Sequence, residues 1–424
     1  METEFGFLSC MIPVSMKESV YKNTRNSMQD AADALQWHIY NGLCKNLSRD
    51  IKIINVLPIF SYPQYYRKAF IKESEFETDF NSGNINVGFC NIKLIREYSK
   101  KFRIHNALKR WLDTSNKPKR LFLYTASSAC LSAIAKLKKN HDLRVCVIIA
   151  DLPNMSNLSS KRSLLMKLWS RHNSDKTYKL LDVVDEYVLL TKHMADYMNI
   201  TKPFCVMEGI ATATNEFAKP QYHNETKTVF YAGTLHRKFG ILNLLEAFQQ
   251  ILKEDYQLVL CGSGDSENEI REAARRDHRI KFYGQLPREE VLKMQSKATV
   301  LVNPRQNSEE FTKYSFPSKN LEYLSSGIPF IGYKLDGIPD EYDAYILYVE
   351  NDDVASLTKK IVDVCEKSDT DREKIGEKAR LFVAEQKNEV IQTGKILSFL
   401  HIGGEIDGNE SEKRKREPVD SAEI

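Results

Sequence analysis

From Thr228 onward, short runs of β-branched and aromatic residues alternate with segments of helical periodicity. Each apolar run ends on or near a Gly or Asn. The runs fall at 228–232, 257–261, 280–283, 299–303 and 329–332. Between and after them, apolar residues recur at helical spacing over 241–252, from 265 to about 276, and over 317–327, 356–365 and 371–385. The last of these is read as continuing to about residue 400. Strands separated by helices cannot pair as hairpins. They form a parallel sheet with helices on both faces.

The first half repeats the plan less regularly. A strand is read over 5–14, broken by Pro13, then a helix from 28 in which Ala31, Leu35, Ile39 and Leu43 share a face and Ser27 supplies the cap. A strand over 51–57 leads into a polar, aromatic stretch from 58 to 86, read as one long loop. A basic helix follows over 93–112, then strands at 121–125 and 144–150 around a helix at 128–139, and strands at 187–190 and 204–207. At 424 residues the chain exceeds what one core supports. The fold expected is α/β, with two doubly wound Rossmann-like domains facing each other across a cleft. Residues 1–210 form the first domain, 211–226 a linker, 227–402 the second domain with closing C-terminal helices, and 403–424 a disordered tail.

Composition narrows the class. Hydrophobic residues at 42% and charged residues at 28% are those of a globular protein, and a net charge of +4 is too small to argue for nucleic acid. The eight Cys have neither CxxC nor metal-ligand spacing, which reads as free thiols in a reducing compartment. No leader pattern opens the chain, and no apolar stretch approaches the roughly 20 residues of a membrane helix, so a cytoplasmic protein is expected. The helix at 93–112 carries seven Lys or Arg against one Glu, with Leu94, Ile95, Tyr98, Phe102, Leu108 and Trp111 among them. The segment 161–171 adds four more basic residues beside Leu164, Leu165, Leu168 and Trp169. Such helices suit peripheral contact with an anionic membrane, here the inner face of the plasma membrane. A solvated charged face over a packed one explains them equally well.

The chemistry-bearing residues cluster where strands end. Residues 233–240 form a Gly-bounded turn holding Arg237 and Lys238, and Gly262 and Gly264 open the next helix. Arg305 follows the strand at 299–303. The stretch 314–331 places Pro317, Ser318 and Lys319 at a helix start, with Glu322 one turn on and Gly327 as the stop. Backbone N–H groups, a helix dipole and cations at one sheet edge suit a nucleotide diphosphate, and a carboxylate nearby suits sugar hydroxyls. Taken singly, each is an ordinary turn or capped helix; their order along one edge is what carries the reading. In the first half, Asp151 stands just past a strand end, where the acceptor side of a cleft lies, although a turn aspartate is commoner there. The G-x-G-x-x-G fingerprint, a P-loop, zinc motifs and a G-x-S-x-G turn are absent from the sequence.

As an ordered set these segments resemble a family. Tyr231-Ala-Gly-Thr-Leu with Lys238 and 240–248, then Leu258-Val-Leu-Cys-Gly-Ser-Gly, 280–286, Val302-Asn-Pro and 316–331 are similar to the donor domain of GT-B glycosyltransferases, in particular the large retaining family four (glycosyltransferase group 1) of bacterial polysaccharide type. The likeness covers about 228–364; the first half resembles the family only through 31–36 and 182–188. By position, Lys238 resembles the lysine that contacts the donor diphosphate. Glu322 resembles the second glutamate of the family's pair, which holds the ribose. Two departures stand out. Tyr314 occupies the place of the first glutamate, eight positions before Glu322. Thr234 stands where an arginine is usual, with Phe239 an extra residue between Lys238 and Gly240. Arg237, Arg305 or Lys319 would supply the second cation.

The resemblance implies a hexosyltransferase acting with retention, a nucleotide-diphosphate sugar as donor, and a glycan or lipid-linked acceptor in cell-surface polysaccharide synthesis. It implies no cofactor and no essential metal, with Lys238 as a catalytic cation; Arg237, beside it in the same loop, is expected as the second. A non-catalytic partner subunit of an active transferase, a nucleotide-sugar epimerase of the same fold, and a membrane-surface scaffold are the competing readings.

Overall fold

The computed structural model describes residues 2–25, 30–152, 177–211, 220–221, 225–308 and 310–402. Two large sheets account for most of the strands. The first has eight strands: β1 (Glu4–Ser9), β2 (Ile51–Asn55), β4 (Ser74–Phe76), β5 (Asn84–Asn86), β7 (Lys119–Tyr124), β8 (Leu143–Ile149), β9 (Glu186–Leu189) and β10 (Phe204–Val206), in the order β10-β9-β8-β7-β1-β2-β5-β4. All neighbours are parallel except β4 on β5. A small antiparallel pair, β3 (Phe70–Ile71) with β6 (Phe89–Cys90), stands apart. The second sheet is wholly parallel, β13-β12-β11-β14-β15-β16, from β11 (Lys227–Ala232), β12 (Tyr256–Cys261), β13 (Ile280–Gly284), β14 (Val300–Asn303), β15 (Phe330–Gly332) and β16 (Leu347–Tyr348). Its inner strands β12, β11, β14 and β15 are buried nearly throughout, as helices on both faces require, while the edge strands β13 and β16 are only partly covered.

Several boundaries differ from the sequence reading. The first strand stops at Ser9. The backbone beyond it turns away, and side chains take its amides: Cys10 N–H donates to Gln36, Met11 N–H to Asn55 and Ile12 N–H to Asp33, each at 2.7 Å. The expected long loop at 58–86 contains β3, β4 and β5. β5 joins the sheet through β2 and β3 pairs with β6, partners distant in the chain that local patterning does not show. Ser27, the expected cap, and the basic segment 161–171 lie outside the described residues, as do most of the expected linker and the tail from 403.

The C-terminal helix is the largest difference. The helix over Asp369–Gln386 stops, and a separate helix runs over Glu389–Phe399, started by the Asn388 side chain accepting from Ile391 N–H. This last helix, assigned above to the second domain, packs on the first. Glu389 pairs with His38 (3.0 Å) and Lys45 (2.5 Å), the Asn46 amide donates to the Val390 carbonyl, and Ile396, Leu397 and Leu400 join the core of Phe5, Phe7 and Ile39. The chain therefore crosses between domains twice. A buried network ties the two crossings together. Lys387 is fully buried, pairs with Glu208 and Glu341, and lies 4.9 Å from the Tyr342 ring; the Tyr342 hydroxyl donates to Glu208 at 2.6 Å.

Loops from the C-terminal edges of the two sheets meet. Thr191, after β9, donates to the Lys313 carbonyl at 2.7 Å, and the Tyr197 ring packs on Tyr314 at 4.7 Å.

Candidate active site

The glycines after β11 and β12 bring the loops together. Gly262 has φ of +128°, and a Cβ there would lie 1.8 Å from the Gly233 carbonyl, so the two loops touch backbone to backbone. Gly240 has φ of +77°, and a Cβ would lie 2.0 Å from the Pro304 carbonyl. That close approach presses the loop after β14 against residues 237–239, and so sets Arg305 beside Phe239.

Arg305 is the unusual group. Its guanidinium lies 4.5 Å from the Phe311 ring centre and 5.4 Å from that of Phe239, and the two rings meet edge to face at 6.2 Å. It donates to the Ser315 hydroxyl at 2.8 Å, while its Nε is buried without a partner. No carboxylate pairs with it among the described residues. Burial holds its pKa down to about 10, only partly offset by Tyr231. Lys238 borders the same two rings, 5.2 Å from Phe239 and 5.5 Å from Phe311, and likewise has no acid partner among the described residues. Phe239, the extra residue of this loop, is thus one wall of the slot that holds both cations.

Lys319 lies across Gly233, whose Cβ would be 2.7 Å from the Lys319 Cε. Its Nζ is 3.7 Å from Glu322 and 5.4 Å from the Tyr323 ring. The helix Ser318–Ser325 starts at Pro317 with no side-chain cap; the Asn320 N–H donates to the Pro317 carbonyl at 2.8 Å, and the N–H groups of Ser318 and Lys319 open the helix beside an exposed Ser318 side chain. From behind, the Asn303 amide donates to Asn320 at 2.8 Å and the Ala232 N–H to the Tyr323 hydroxyl at 3.1 Å, fixing that helix against the sheet.

Arg237, Gly262, Gly264 and Tyr314 have their polar groups engaged elsewhere in the structure. Arg237 is ion-paired with Glu269, and its N–H donates to Asp265 at 2.8 Å, so it is held on the helix Glu267–Arg276 and leaves the cationic slot to Arg305 and Lys238. Gly262 and Gly264 shape the loop rather than presenting amides. Gly262 N–H donates to the Gly284 carbonyl and Gly264 N–H to Glu267. Tyr314 turns to the first domain's Tyr197, and its hydroxyl donates to Glu310 at 3.1 Å.

Glu322 is flanked by two cations, Lys319 and Arg288, the latter at 3.2 Å. Arg288 begins the helix after β13, and sequence reasoning missed it. It stands just past a strand end, the rule that flagged the other loops. Across the contact, Asp151 is exposed just beyond β8, yet the surrounding chain desolvates its carboxyl and raises its pKa. A cavity of about 440 Å³, lined by Tyr178, Leu181, Tyr187 and Met198, lies at the outer strands of the first sheet and touches this region only through Tyr197. Among the described residues, no three His, Cys, Asp or Glu side chains are disposed to hold a metal ion, and no helix is long and apolar enough to cross a membrane.

Residues 213–382 match the family model described as glycosyl transferases group 1. Sucrose-phosphate synthase from Thermosynechococcus elongatus is 14% identical with a TM-score of 0.61, covering 94% of this chain and 99% of that one. The E. coli structure titled trehalose-6-phosphate, bound with UDP-2-fluoro glucose, is 10% identical with a TM-score of 0.63 and the same coverage. The apo lipopolysaccharide outer core galactosyltransferase WaaB is 12% identical with a TM-score of 0.59, again at that coverage. No curated protein sequence matches the chain. The chain has the GT-B glycosyltransferase fold, with two Rossmann-like domains, and its second domain carries the glycosyl transferases group 1 match.

Proposed function

We propose that this protein is a glycosyltransferase that takes a sugar from a nucleotide-diphosphate donor bound at the C-terminal edge of the second sheet. The observation that carries the reading is the slot formed by Phe239 and Phe311, with two cations, Arg305 and Lys238, and no acid among the described residues to neutralise them. A desolvated guanidinium without a counter-ion is destabilising unless an anion completes it. A diphosphate does so, and the uncapped N-terminus of helix Ser318–Ser325 adds N–H donors beside it. As the glycosidic bond to the donor breaks, charge builds on the leaving diphosphate, and these groups are already in place to stabilise it. Glu322, poised between Lys319 and Arg288, receives the nucleotide ribose. Transfer proceeds with retention, without a metal or cofactor, and Asp151 lies on the acceptor side.

The acceptor is a glycan or lipid-linked glycan, and the enzyme works at the cytoplasmic face of the membrane in polysaccharide synthesis. The helix Arg96–Leu112 supports this. Leu108 and Trp111 pack inward, whereas Leu94, Tyr98 and Phe102 are 85%, 77% and 62% exposed, flanked by the exposed cations Lys93 and Arg103. An apolar stripe framed by cations suits an anionic bilayer surface.

The test is incubation with a panel of nucleotide-diphosphate sugars, following release of free nucleoside diphosphate. One donor should turn over and Lys238→Gln should slow it by on the order of tenfold or more. Nucleotide binding without turnover of any donor would favour the non-catalytic partner reading instead.

A further inference from the structure

The helix Arg96–Leu112 faces the first domain's core with one stripe, and that stripe is not apolar throughout. Ile104, Ala107, Leu108 and Trp111 are buried along it. Continuing one and two turns back toward the N-terminus, the same stripe carries Lys100 and Arg96. The core-facing positions of the first two turns are therefore cations, while the exposed positions beside them, Tyr98 and Phe102, are aromatic.

These cations sit at a functional edge. The helix precedes β7 and so begins at the C-terminal end of the sheet, the edge where Asp151 follows β8. Lys100 Nζ lies 4.8 Å from the Phe89 ring and has no acid partner among the described residues. Among the described residues Arg96 pairs with its neighbour Glu97 alone, at 3.8 Å, and its Nε is buried without a hydrogen-bond partner there. Cys10, in the loop after β1, and Cys130, in the first turn of helix Ser128–Leu137, lie close enough to feel Lys100. Burial, then the neighbouring Arg96, brings Lys100 down to about 8, and burial lowers Arg96 as well. Two cations against one carboxylate leave the site positive, at a cost that a merely structural role does not explain.

We infer that Arg96 and Lys100 form an anion subsite on the acceptor side of the cleft, taking a phosphate group carried by the acceptor. This rests on the glycosyltransferase reading and specifies the acceptor's chemistry: a phosphorylated glycan or a lipid-linked phosphate. The guanidinium offers a fork to the phosphate oxygens and the ammonium a point charge. The apolar stripe on the opposite face of the same turns keeps this end of the helix beside a membrane surface if the phosphate belongs to a lipid.

The experiment uses the full chain, with and without saturating UDP. Glucose 6-phosphate against glucose probes a soluble phosphate, and phosphatidylcholine vesicles with and without phosphatidic acid probe a lipid phosphate. One phosphate source should bind in preference to its phosphate-free counterpart, and both Arg96→Gln and Lys100→Gln should weaken that binding about tenfold or more. Lys109→Gln, an exposed change farther along the helix, should leave it unaltered. Each of the two Gln variants should also melt no lower than the parent, because each removes an uncompensated charge, and should lose the phosphate-induced rise in melting temperature. Binding of neither source, or binding reduced equally by Lys109→Gln, overturns the inference. Failure of UDP to bind would instead count against the donor site, which Arg96 and Lys100 do not touch.

Discussion

A guanidinium set between two phenyl rings, with one serine hydroxyl as side-chain hydrogen-bond partner and no counter-ion among the described residues, has given up water without full compensation. Arg305 is in that position, while Arg237 is already paired with Glu269 on the neighbouring helix. The two should behave differently when neutralised. Arg305→Gln should raise the donor KM by roughly tenfold to a hundredfold, the loss of one charge-assisted contact to a diphosphate. Arg237→Gln should change it by less than about threefold, as expected for an exposed surface pair. Donor titrations of the two variants side by side check this. The sequence placed both arginines, with Lys319, at this sheet edge but offered no way to choose among them. The choice depends on Gly240 admitting Pro304 and on Phe311 closing over Arg305, both contacts between segments distant in the chain. Tyr314 was legible as a departure from the family pattern. Its partner Tyr197 was not, because that contact joins two domains.

Among the elements, the helix Ser318–Ser325 was readable from Pro317 to Gly327, since Pro at the first turn and a left-handed Gly at the end mark helices locally. What braces it was hidden. The helix Asp369–Gln386 crosses behind it at Gly376, where a Cβ would lie 1.7 Å from the Gly327 carbonyl. Gly376→Ala must push the two helices apart against backbone that cannot move aside. The expected cost is about 1–3 kcal/mol in a urea melt, accompanied by weaker nucleotide binding as the helix start shifts. Unchanged stability would mean the two helices do not approach so closely. The strands at 70–86 and the break at Asn388 were misread for a related reason. Two- and three-residue strands carry too little periodicity to show, and a helix can pause at one Asn cap without losing its apolar pattern.

Across the whole molecule, the chain leaves the first domain after Val206 and returns to it at Glu389, and both passages run through one buried charge cluster. Ala211 N–H donates to the Lys387 carbonyl, and the Gln392 amide donates to the Gly209 carbonyl, so the two crossings are bonded to each other. Lys387→Met leaves Glu208 buried and unpaired and should cost roughly 3–5 kcal/mol, much of it recovered in the Glu208→Gln, Lys387→Met double variant. Burial pushes the Glu208 carboxyl up, but Lys387 and the Tyr342 hydroxyl outweigh it and hold the group below its ordinary value of 4.5. Its folded pKa lies below the unfolded one, so its contribution is present above about pH 4.5 and is lost as pH falls through the folded value. Urea midpoints followed downward from neutral pH should fall more steeply below pH 4.5 for the parent than for the double variant. The two-domain plan itself was legible from the strand–helix alternation, whereas the joint between domains was not. Glu208 and Lys387 are 179 positions apart and look like surface charges until the fold buries them.

The account turns on a nucleotide diphosphate held by Arg305 and Lys238, and calorimetric titration of UDP, GDP and ADP into the full chain tests that most directly. One of the three should bind at a single site. The Lys238→Gln, Arg305→Gln double variant should lose that binding by on the order of a hundredfold or more while keeping its melting temperature. Absence of binding by all three nucleotides, or undiminished binding in the double variant, would contradict it.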